Sequence, residues 1–320
     1  LKNVFITRKI DEKVISRLSE QFNVDFWPHE DQVCPREELL KQAKRCNALL
    51  TMLSDQVNAE LLDQGGDDLE IVANLAVGYD NIEVEEAKKR GVMITNTPDV
   101  LTDTTADLAF SLLMASARRI VESDRYIKDG NWKSWSPYLL AGKDIHHKTL
   151  GIVGMGNIGQ AVAQRAKGFD MDILYHTRSR KKEAEEKYNA KHAELDELLT
   201  KSDFVLCLAP LTEQTKGMLG SEQFKKMKKS AILINAGRGP VVDEEALIEA
   251  LKNGEIAGAG LDVFDKEPID KDHPLLSLAN VVAVPHIGSA SVETRFAMMD
   301  LCAENIINVL SGKDPVTPVK

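Results

Sequence analysis

No hydrophobic stretch of this 320-residue chain reaches the roughly 18 residues a membrane span needs, which excludes a helical membrane protein. The first residues, LKNVFITRKIDEK, lack the charged, apolar and small-residue succession of a secretory signal, and the chain starts at Leu1 rather than Met, so one residue or more is expected to precede it. Cysteine is scarce: Cys34, Cys46, Cys207 and Cys302 lie far apart without a CxxC pair. That argues against a disulfide framework and for buried, reduced thiols in a cytoplasm. There is no excess of positive charge either. Forty Lys and Arg stand against 50 Asp and Glu, a net charge of −10, so nucleic acid is not an expected partner, because phosphate contacts need a basic face. Solubility is the plain reason for the acidity. A composition of 43% hydrophobic and 28% charged residues is neither disordered nor fibrous, and the length suggests two domains.

The most informative stretch runs from Thr149 to Arg180. A short apolar run (Leu150, Ile152, Val153) enters Gly154-Met155-Gly156-Asn157-Ile158-Gly159, after which Ile158, Val162, Ala163 and Ala166 recur at helical spacing. A second apolar run, Met171 to Tyr175, completes a strand, helix, strand crossover. Each glycine answers a different need of a dinucleotide site: Gly154 for the tight turn, Gly156 for close approach of backbone to a pyrophosphate, Gly159 for close packing of helix on strand.

The residues after the second strand bear on which dinucleotide binds. NAD sites usually place an acid about 20 residues beyond the glycine motif to accept from the ribose 2′-hydroxyl. Here the chain reads Tyr175-His176-Thr177-Arg178-Ser179-Arg180, with no carboxylate. Arg178 and Arg180 suit a 2′-phosphate through forked, charge-assisted hydrogen bonds, so NADP(H) is the expected cofactor, with NAD(H) as the second choice. The alternative is that these cations only solvate the start of the helix KKEAEEKY.

Before this stretch, apolar runs at Val4–Ile6, Val24–Trp27, Ala48–Leu53, Ile71–Ala76 and Val92–Thr95 alternate with helical segments, an open parallel α/β pattern without a phosphate turn. Two loops at strand ends stand out, Leu53-Ser54-Asp55 and Ala76-Val77-Gly78-Tyr79. Successive N–H groups around Val77 and Gly78 suit an anion such as a carboxylate. The same segment reads equally well as a plain turn made by Gly78. After Thr97-Pro98-Asp99 a long helix is expected, capped by Thr102 or Asp103, and then an irregular arm from Lys128 to His147 carrying Trp132, Trp135 and Pro137. The arm suits either a subunit contact or a satellite core under a loop.

Four further apolar runs, Phe204–Ala209, Ala231–Asn235, Gly258–Val263 and Val281–Val284, continue a doubly wound sheet, and each ends in polar or turn chemistry: Ala209-Pro210, Arg238, Asp262 with Glu267, and His286. His286 is the acid/base candidate, Glu267 suits its second ring N–H, and Arg238, flanked by Gly237 and Gly239, presents a fork to a substrate carboxylate. The last stretch, Ser291 to Leu310, is helical without a strand of its own and is expected to return to the first domain.

Together, Gly154 to Gly159, Asn235-Ala236-Gly237-Arg238-Gly239, Gly260-Leu261-Asp262-Val263-Phe264 with Glu267-Pro268, and Pro285-His286-Ile287-Gly288 resemble the D-isomer-specific 2-hydroxyacid dehydrogenases. Val100 to Asp107 and Asn74 to Gly78 look most like the glyoxylate/hydroxypyruvate reductase branch, which includes 2-ketogluconate reductases. The resemblance implies that Arg238 holds the carboxylate and polarises the carbonyl, that His286 donates the proton and that Glu267 is its partner. It also implies that Thr105 and Asp262 lie at the nicotinamide end and that Val77 and Gly78 bind the substrate carboxylate through backbone N–H groups. Leu53 joins that substrate set, and Ala209, Pro210, Asn235, Ala236 and Gly288 join the cofactor contacts. No metal is expected.

The fold class that follows is α/β, with two doubly wound parallel-sheet domains. A Rossmann coenzyme domain, 99–288, is expected to be inserted into a flavodoxin-like substrate-binding domain, 1–98 and 289–320. The expected activity is NADPH-dependent reduction of short 2-keto acids (glyoxylate, hydroxypyruvate, 2-keto-D-gluconate) to D-2-hydroxy acids by a cytoplasmic homodimer. An NAD-dependent D-glycerate or D-lactate dehydrogenase and a dinucleotide-sensing co-repressor are the rival readings.

Overall fold

Alternation of apolar runs with amphipathic helices produces, in the computed structural model of the chain, two compact units over the described residues 1–319. One comprises Leu1–Leu101 and Ala290–Lys320, the other Thr102–Ser289. The chain begins with β1 (Asn3–Ile6), α1 (Glu12–Ser19), β2 (Asn23–Phe26), α2 (Arg36–Ala43), β3 (Ala48–Thr51), α3 (Ala59–Gly65), β4 (Ile71–Asn74), α4 (Val84–Lys89) and β5 (Met93–Thr95). The second unit follows with α5 (Thr102–Ala117), α6 (Ile120–Lys128), β6 (Thr149–Val153), α7 (Asn157–Lys167), β7 (Asp172–His176), α8 (Lys182–Tyr188), β8 (Lys191–His192) and α9 (Leu195–Lys201). It continues through β9 (Phe204–Cys207), α10 (Ser221–Lys226), β10 (Ile232–Asn235), α11 (Glu244–Lys252), β11 (Gly258–Leu261) and β12 (Val281–Ala283) before α12 (Val292–Leu310) returns to the first unit.

The first unit is built on a parallel sheet of order β2-β1-β3-β4-β5. Its central strands β1, β3 and β4 are buried on both faces, as in a parallel sheet covered by helices, while the edge strand β2 is partly exposed. Val4, Ile6, Ala48, Leu50, Ile71 and Ala73 pack into one core, while Phe5, Leu49 and Val72 alternate into the other. The returning helix α12 inserts Cys302, Ala303, Ile306 and Leu310 into the first of these cores. Truncating Ile306 to Ala there would cost about 2–5 kcal/mol.

The second unit carries a seven-stranded parallel sheet, β12-β11-β10-β9-β6-β7-β8, again with a core on each face. Both sheets are parallel throughout, so the expected fold class holds. Two details differ from the sequence reading. Thr102 is itself helical, so neither it nor Asp103 caps that helix, and the single long helix expected there is two, broken where Arg119 adopts φ 54°. The left-handed backbone at Arg119 cannot continue a right-handed helix. Two elements carried no apolar run to betray them: α3, capped by the Asn58 side chain accepting from Leu61 N–H, and the two-residue β8. The segment from Asp129 to Lys148 is irregular, with Trp132, Trp135 and Tyr138 exposed. Among the described residues no helix is long and apolar enough to cross a membrane.

Candidate active site

In the seven-stranded sheet Val153 pairs with His176 and Cys207, Cys207 with Asn235, Asn235 with Leu261, and Leu261 with Ala283. The residues next in the chain, Gly154, Thr177, Leu208, Ala236, Asp262 and Val284, therefore leave the sheet along one edge. Strand order reverses between β6 and β9, which makes this edge the topological switch point where open α/β sheets bind ligands.

The glycine turn sits at that switch. Gly154 has φ 103°, and a Cβ on it would lie 2.8 Å from Ala209 N, so the turn packs directly on the Leu208–Ala209 backbone that Pro210 follows. A Cβ on Gly159 would run into the carbonyl of Gly154, which is the close helix-to-strand approach the motif needs. Gly156 is different: a Cβ there would meet nothing within 4 Å. Open space beside the first turn of the 11-residue α7 is where a pyrophosphate fits, facing the orphan N–H groups and positive end of the helix. Met155 is fully buried beneath the turn and Ile158 packs against the same core.

Gly154 N–H donates to His176 O at 2.9 Å, which ties the turn to the end of β7 and to Thr177. The two arginines beyond are not equivalent. Arg178 and Ser179 are exposed, and Arg178 makes no hydrogen bond or ion pair among the described residues. Arg180 forks onto Glu185, with Nε to Oε1 at 2.9 Å and Nη2 to Oε2 at 2.7 Å. The buried Tyr175 hydroxyl donates to Glu185 at 2.6 Å and accepts from Lys181 N–H at 2.7 Å. Arg180 first and Tyr175 second hold the Glu185 carboxyl down at about 2. Arg180 thus closes the start of α8, while Arg178 stays exposed beyond the end of β7.

Arg238, Glu267 and His286 come together on the other side of the switch. His286 Nδ1 bonds Glu267 Oε2 at 2.7 Å, and Glu267 Oε1 accepts from Phe264 N–H at 3.0 Å. This fixes the ring and leaves Nε2 as the nitrogen to face a substrate. Burial pushes the Glu267 carboxyl up, but its bond to His286, the charge of that ring, the Phe264 amide and the Arg238 charge outweigh burial and keep it below the ordinary carboxylate range. Arg238 is half-buried, with Nη1 donating to Gly237 O at 3.0 Å. A Cβ on Gly239 would collide with the Phe264 carbonyl, so only glycine lets the Arg238 loop press against the backbone leading to Glu267.

Two residues read as cofactor contacts have their side chains engaged by these loops. Asn235, buried at the end of β10, donates from Nδ2 to Arg238 O at 3.1 Å and accepts at Oδ1 from Gly237 N–H at 3.2 Å, so it shapes the Arg238 turn. Asp262, also buried, accepts from Ile287 N–H at 2.6 Å and Gly288 N–H at 2.9 Å, while its carbonyl accepts from His286 N–H. His286 sits at φ 52°, a left-handed conformation that costs a non-glycine residue about 1–3 kcal/mol. The Asp262 bonds hold it there. Burial raises the Asp262 carboxyl despite those bonds and the His286 charge. Sequence reasoning missed this positioning role; a buried strand-end acid two dozen residues before a His was its only sign. Gly288 is buried, with Thr105 of α5 beside it, and Ala236 is nearly buried at the same edge.

Leu53, Val77 and Gly78 belong to the first unit, at the carboxyl ends of β3 and β4. Leu53 is exposed, and Val77 and Gly78 are half-buried. Val77 O accepts from Asn96 Nδ2 at 2.8 Å and Gly78 O from Asn74 Nδ2 at 3.1 Å, whereas the Val77 and Gly78 N–H groups make no hydrogen bond among the described residues. A turn with its carbonyls tied and its amides left over is a concavity for an anion.

The geometry has close counterparts. Residues 110–288, more than half of the chain, match the family model described as D-isomer specific 2-hydroxyacid dehydrogenase, NAD binding domain. The chain is 52% identical over 314 residues to the glyoxylate reductase of Korarchaeum cryptofilum, covering 98% of this chain and 94% of that protein. It is 52% identical over 320 residues to the glyoxylate reductase of Pyrococcus horikoshii, covering 99% and 95%. The crystal structure of the NADPH-dependent glyoxylate/hydroxypyruvate reductase of Sinorhizobium meliloti, in complex with NADP and malonate, superposes with a TM-score of 0.87 at 34% identity, covering 99% of this chain and 96% of that one.

Proposed function

The chain belongs to the D-isomer-specific 2-hydroxyacid dehydrogenase family, in its glyoxylate reductase branch, and from that premise we propose that it reduces glyoxylate to glycolate with NADPH as preferred reductant. Hydroxypyruvate and 2-keto-D-gluconate are the further substrates proposed, with D-2-hydroxy acids as products. The enzyme is an NAD(P)-dependent oxidoreductase, and the observation that carries the reading is the 2.7 Å His286–Glu267 bond on the same sheet edge as the glycine turn. The preference for NADPH rests on Arg178, an exposed cation in a segment, Thr177 to Arg180, that itself carries no carboxylate to repel a 2′-phosphate.

When bound, the reduced nicotinamide supplies a hydride to the keto carbon. Arg238 pairs with the substrate carboxylate and draws electron density toward the carbonyl oxygen. Protonated His286 gives its Nε2 proton to that oxygen as it becomes a hydroxyl, and Glu267 keeps the ring oriented through Nδ1. Asp262 fixes the His286 turn. Val77 and Gly78 offer their amides to the substrate carboxylate, in a substrate-binding domain of residues 1–98 and 289–320, with residues 99–288 as the coenzyme domain. The remaining contacts proposed for the cofactor are Thr105, Gly154 to Gly159, Thr177 to Arg180, Ala209, Pro210, Asn235, Ala236, Asp262 and Gly288.

Exposed Ile120, Ile127, Trp132, Trp135 and Tyr138 support a homodimer, which sedimentation would test. The activity itself is tested by mixing the protein with NADPH or NADH and each keto acid and following the absorbance of the reduced cofactor. Oxidation with glyoxylate, faster in kcat/KM with NADPH, supports the reading. No oxidation with any keto acid overturns it, and higher kcat/KM with NADH overturns the cofactor preference.

A further inference from the structure

Beneath the Val77–Gly78 turn lies a set of buried polar side chains that the reaction as described does not use. Asn74 and Asn81 face each other amide to amide at 3.3 Å, both nearly or fully buried. The Asn74 oxygen also accepts from the Thr51 hydroxyl at 3.1 Å, so the remaining donor of its amide is turned to Gly78 O. Asn81 Nδ2 donates to Asp55 O at 2.8 Å, and the Asp55 carboxylate accepts from Thr7 Oγ1 at 2.5 Å and Met52 N–H at 2.8 Å. Asn96 secures the neighbouring carbonyl, Val77 O. One continuous network therefore joins the ends of β1, β3 and β4, at the point where the order of this sheet reverses.

Buried amides with their bonds satisfied are rigid, and a half-satisfied network is costly, so each side chain enforces the orientation of the next. A turn whose two carbonyls are both held by side-chain donors has little freedom left to rotate its peptide planes. We propose that Asn74 and Asn96 are positioning residues that set affinity for the keto acid, by tethering the Val77 and Gly78 carbonyls so that the two amides stay presented to the substrate carboxylate. Asn81 orients Asn74 and carries the same constraint to the Leu53 loop. This rests on the reading of Val77 and Gly78 as the carboxylate holder.

Two variants test it: Asn96→Ala, at a half-buried position, and Asn74→Asp, which keeps the shape and the acceptor for Thr51 but replaces the donor that faces Gly78 O. Each removes one tether. KM for glyoxylate and Ki for oxamate, a non-reducible analogue, should rise together about three- to tenfold, the loss of roughly one hydrogen bond's preorganisation. Bound at the turn equally before and during reaction, the carboxylate should leave kcat within about a factor of two. NADPH affinity, read by fluorescence titration, should be unchanged. Oxamate should slow hydrogen exchange at the Val77 and Gly78 amides in the unmodified protein and less so in the variants. Unchanged KM and Ki in folded variants would overturn the proposal, as would parallel loss of kcat and NADPH affinity, which marks general damage. An unmodified enzyme that does not reduce glyoxylate overturns the activity instead, and one that does so without slowed exchange at Val77 and Gly78 overturns the role of the turn.

Discussion

Replacing Arg178 by Ala removes, of the two arginines that follow β7, the one without an intramolecular partner among the described residues. A hydrogen bond to a charged group contributes about 1.5–3 kcal/mol, which corresponds to roughly ten- to a hundredfold or more in affinity. Arg178 is exposed, and salt screens charges over about 8 Å at physiological ionic strength, so the loss for NADPH should fall near tenfold and shrink as salt is added. NADH, which has no 2′-phosphate, should bind as before. Arg180→Ala acts differently, because Arg180 is forked onto Glu185. Its loss leaves the Glu185 carboxylate without its cation near the phosphate, so NADPH should weaken by repulsion, and adding Glu185→Gln should restore much of the affinity. Titration of cofactor fluorescence for NADPH and NADH on the three variants measures all of this. Equal weakening of both cofactors in Arg178→Ala, or no recovery in the double variant, would refute the division of labour between the two arginines.

Two glycines of the turn, Gly156 and Gly159, should separate binding from folding. Gly159→Ala must push against the Gly154 carbonyl and should cost about 1–3 kcal/mol of stability in thermal melting, whereas Gly156→Ala meets nothing in the protein, should melt normally and should fail to bind cofactor. Glu267→Gln should lower kcat for both reduction and oxidation with NADPH affinity unchanged, since the depressed Glu267 carboxyl is the ionised acceptor that holds Nδ1 of the ring. The sign for stability follows from the same depression. The Glu267 contribution is complete above the unfolded value of about 4.3 and is lost as pH falls through the folded value, so the unmodified protein should lose more melting temperature than Glu267→Gln between pH 5 and pH 3. Arg238→Lys keeps the charge and loses the fork, so the pH profile should stay while kcat/KM falls.

Much of this architecture was legible in the chain because its causes are local. Parallel strands buried on both faces must be short apolar runs, and those at Val4, Ala48, Ile71, Leu150 and Ile232 all became central strands. Gly154, Gly156 and Gly159 could be told apart because each meets a different steric demand. The pairing of His286 with Glu267 was legible because both follow strands of one sheet, which brings chain-distant residues to one edge. What stayed hidden depends on packing. Nothing in Thr177 to Arg180 says which arginine will find Glu185, because that follows from where α8 starts. Asp262 reads as a ligand contact in the chain, and only the left-handed turn at His286 reveals what its carboxylate holds. Asn74, Asn81 and Asn96 look like ordinary polar residues until the fold sets Asn74 against Asn81 and ties Asn74 and Asn96 to the carbonyls of one turn.

The most direct test is a stopped-flow measurement of NADPH oxidation by glyoxylate as a function of pH, made on the unmodified protein and on His286→Ala. The account predicts stoichiometric formation of glycolate, a rate of reduction that falls as rising pH removes the proton from His286, and a rate in His286→Ala lower by about a hundredfold or more, without that pH limb. Near-normal reduction by His286→Ala, or the same limb persisting without the imidazole, would contradict it.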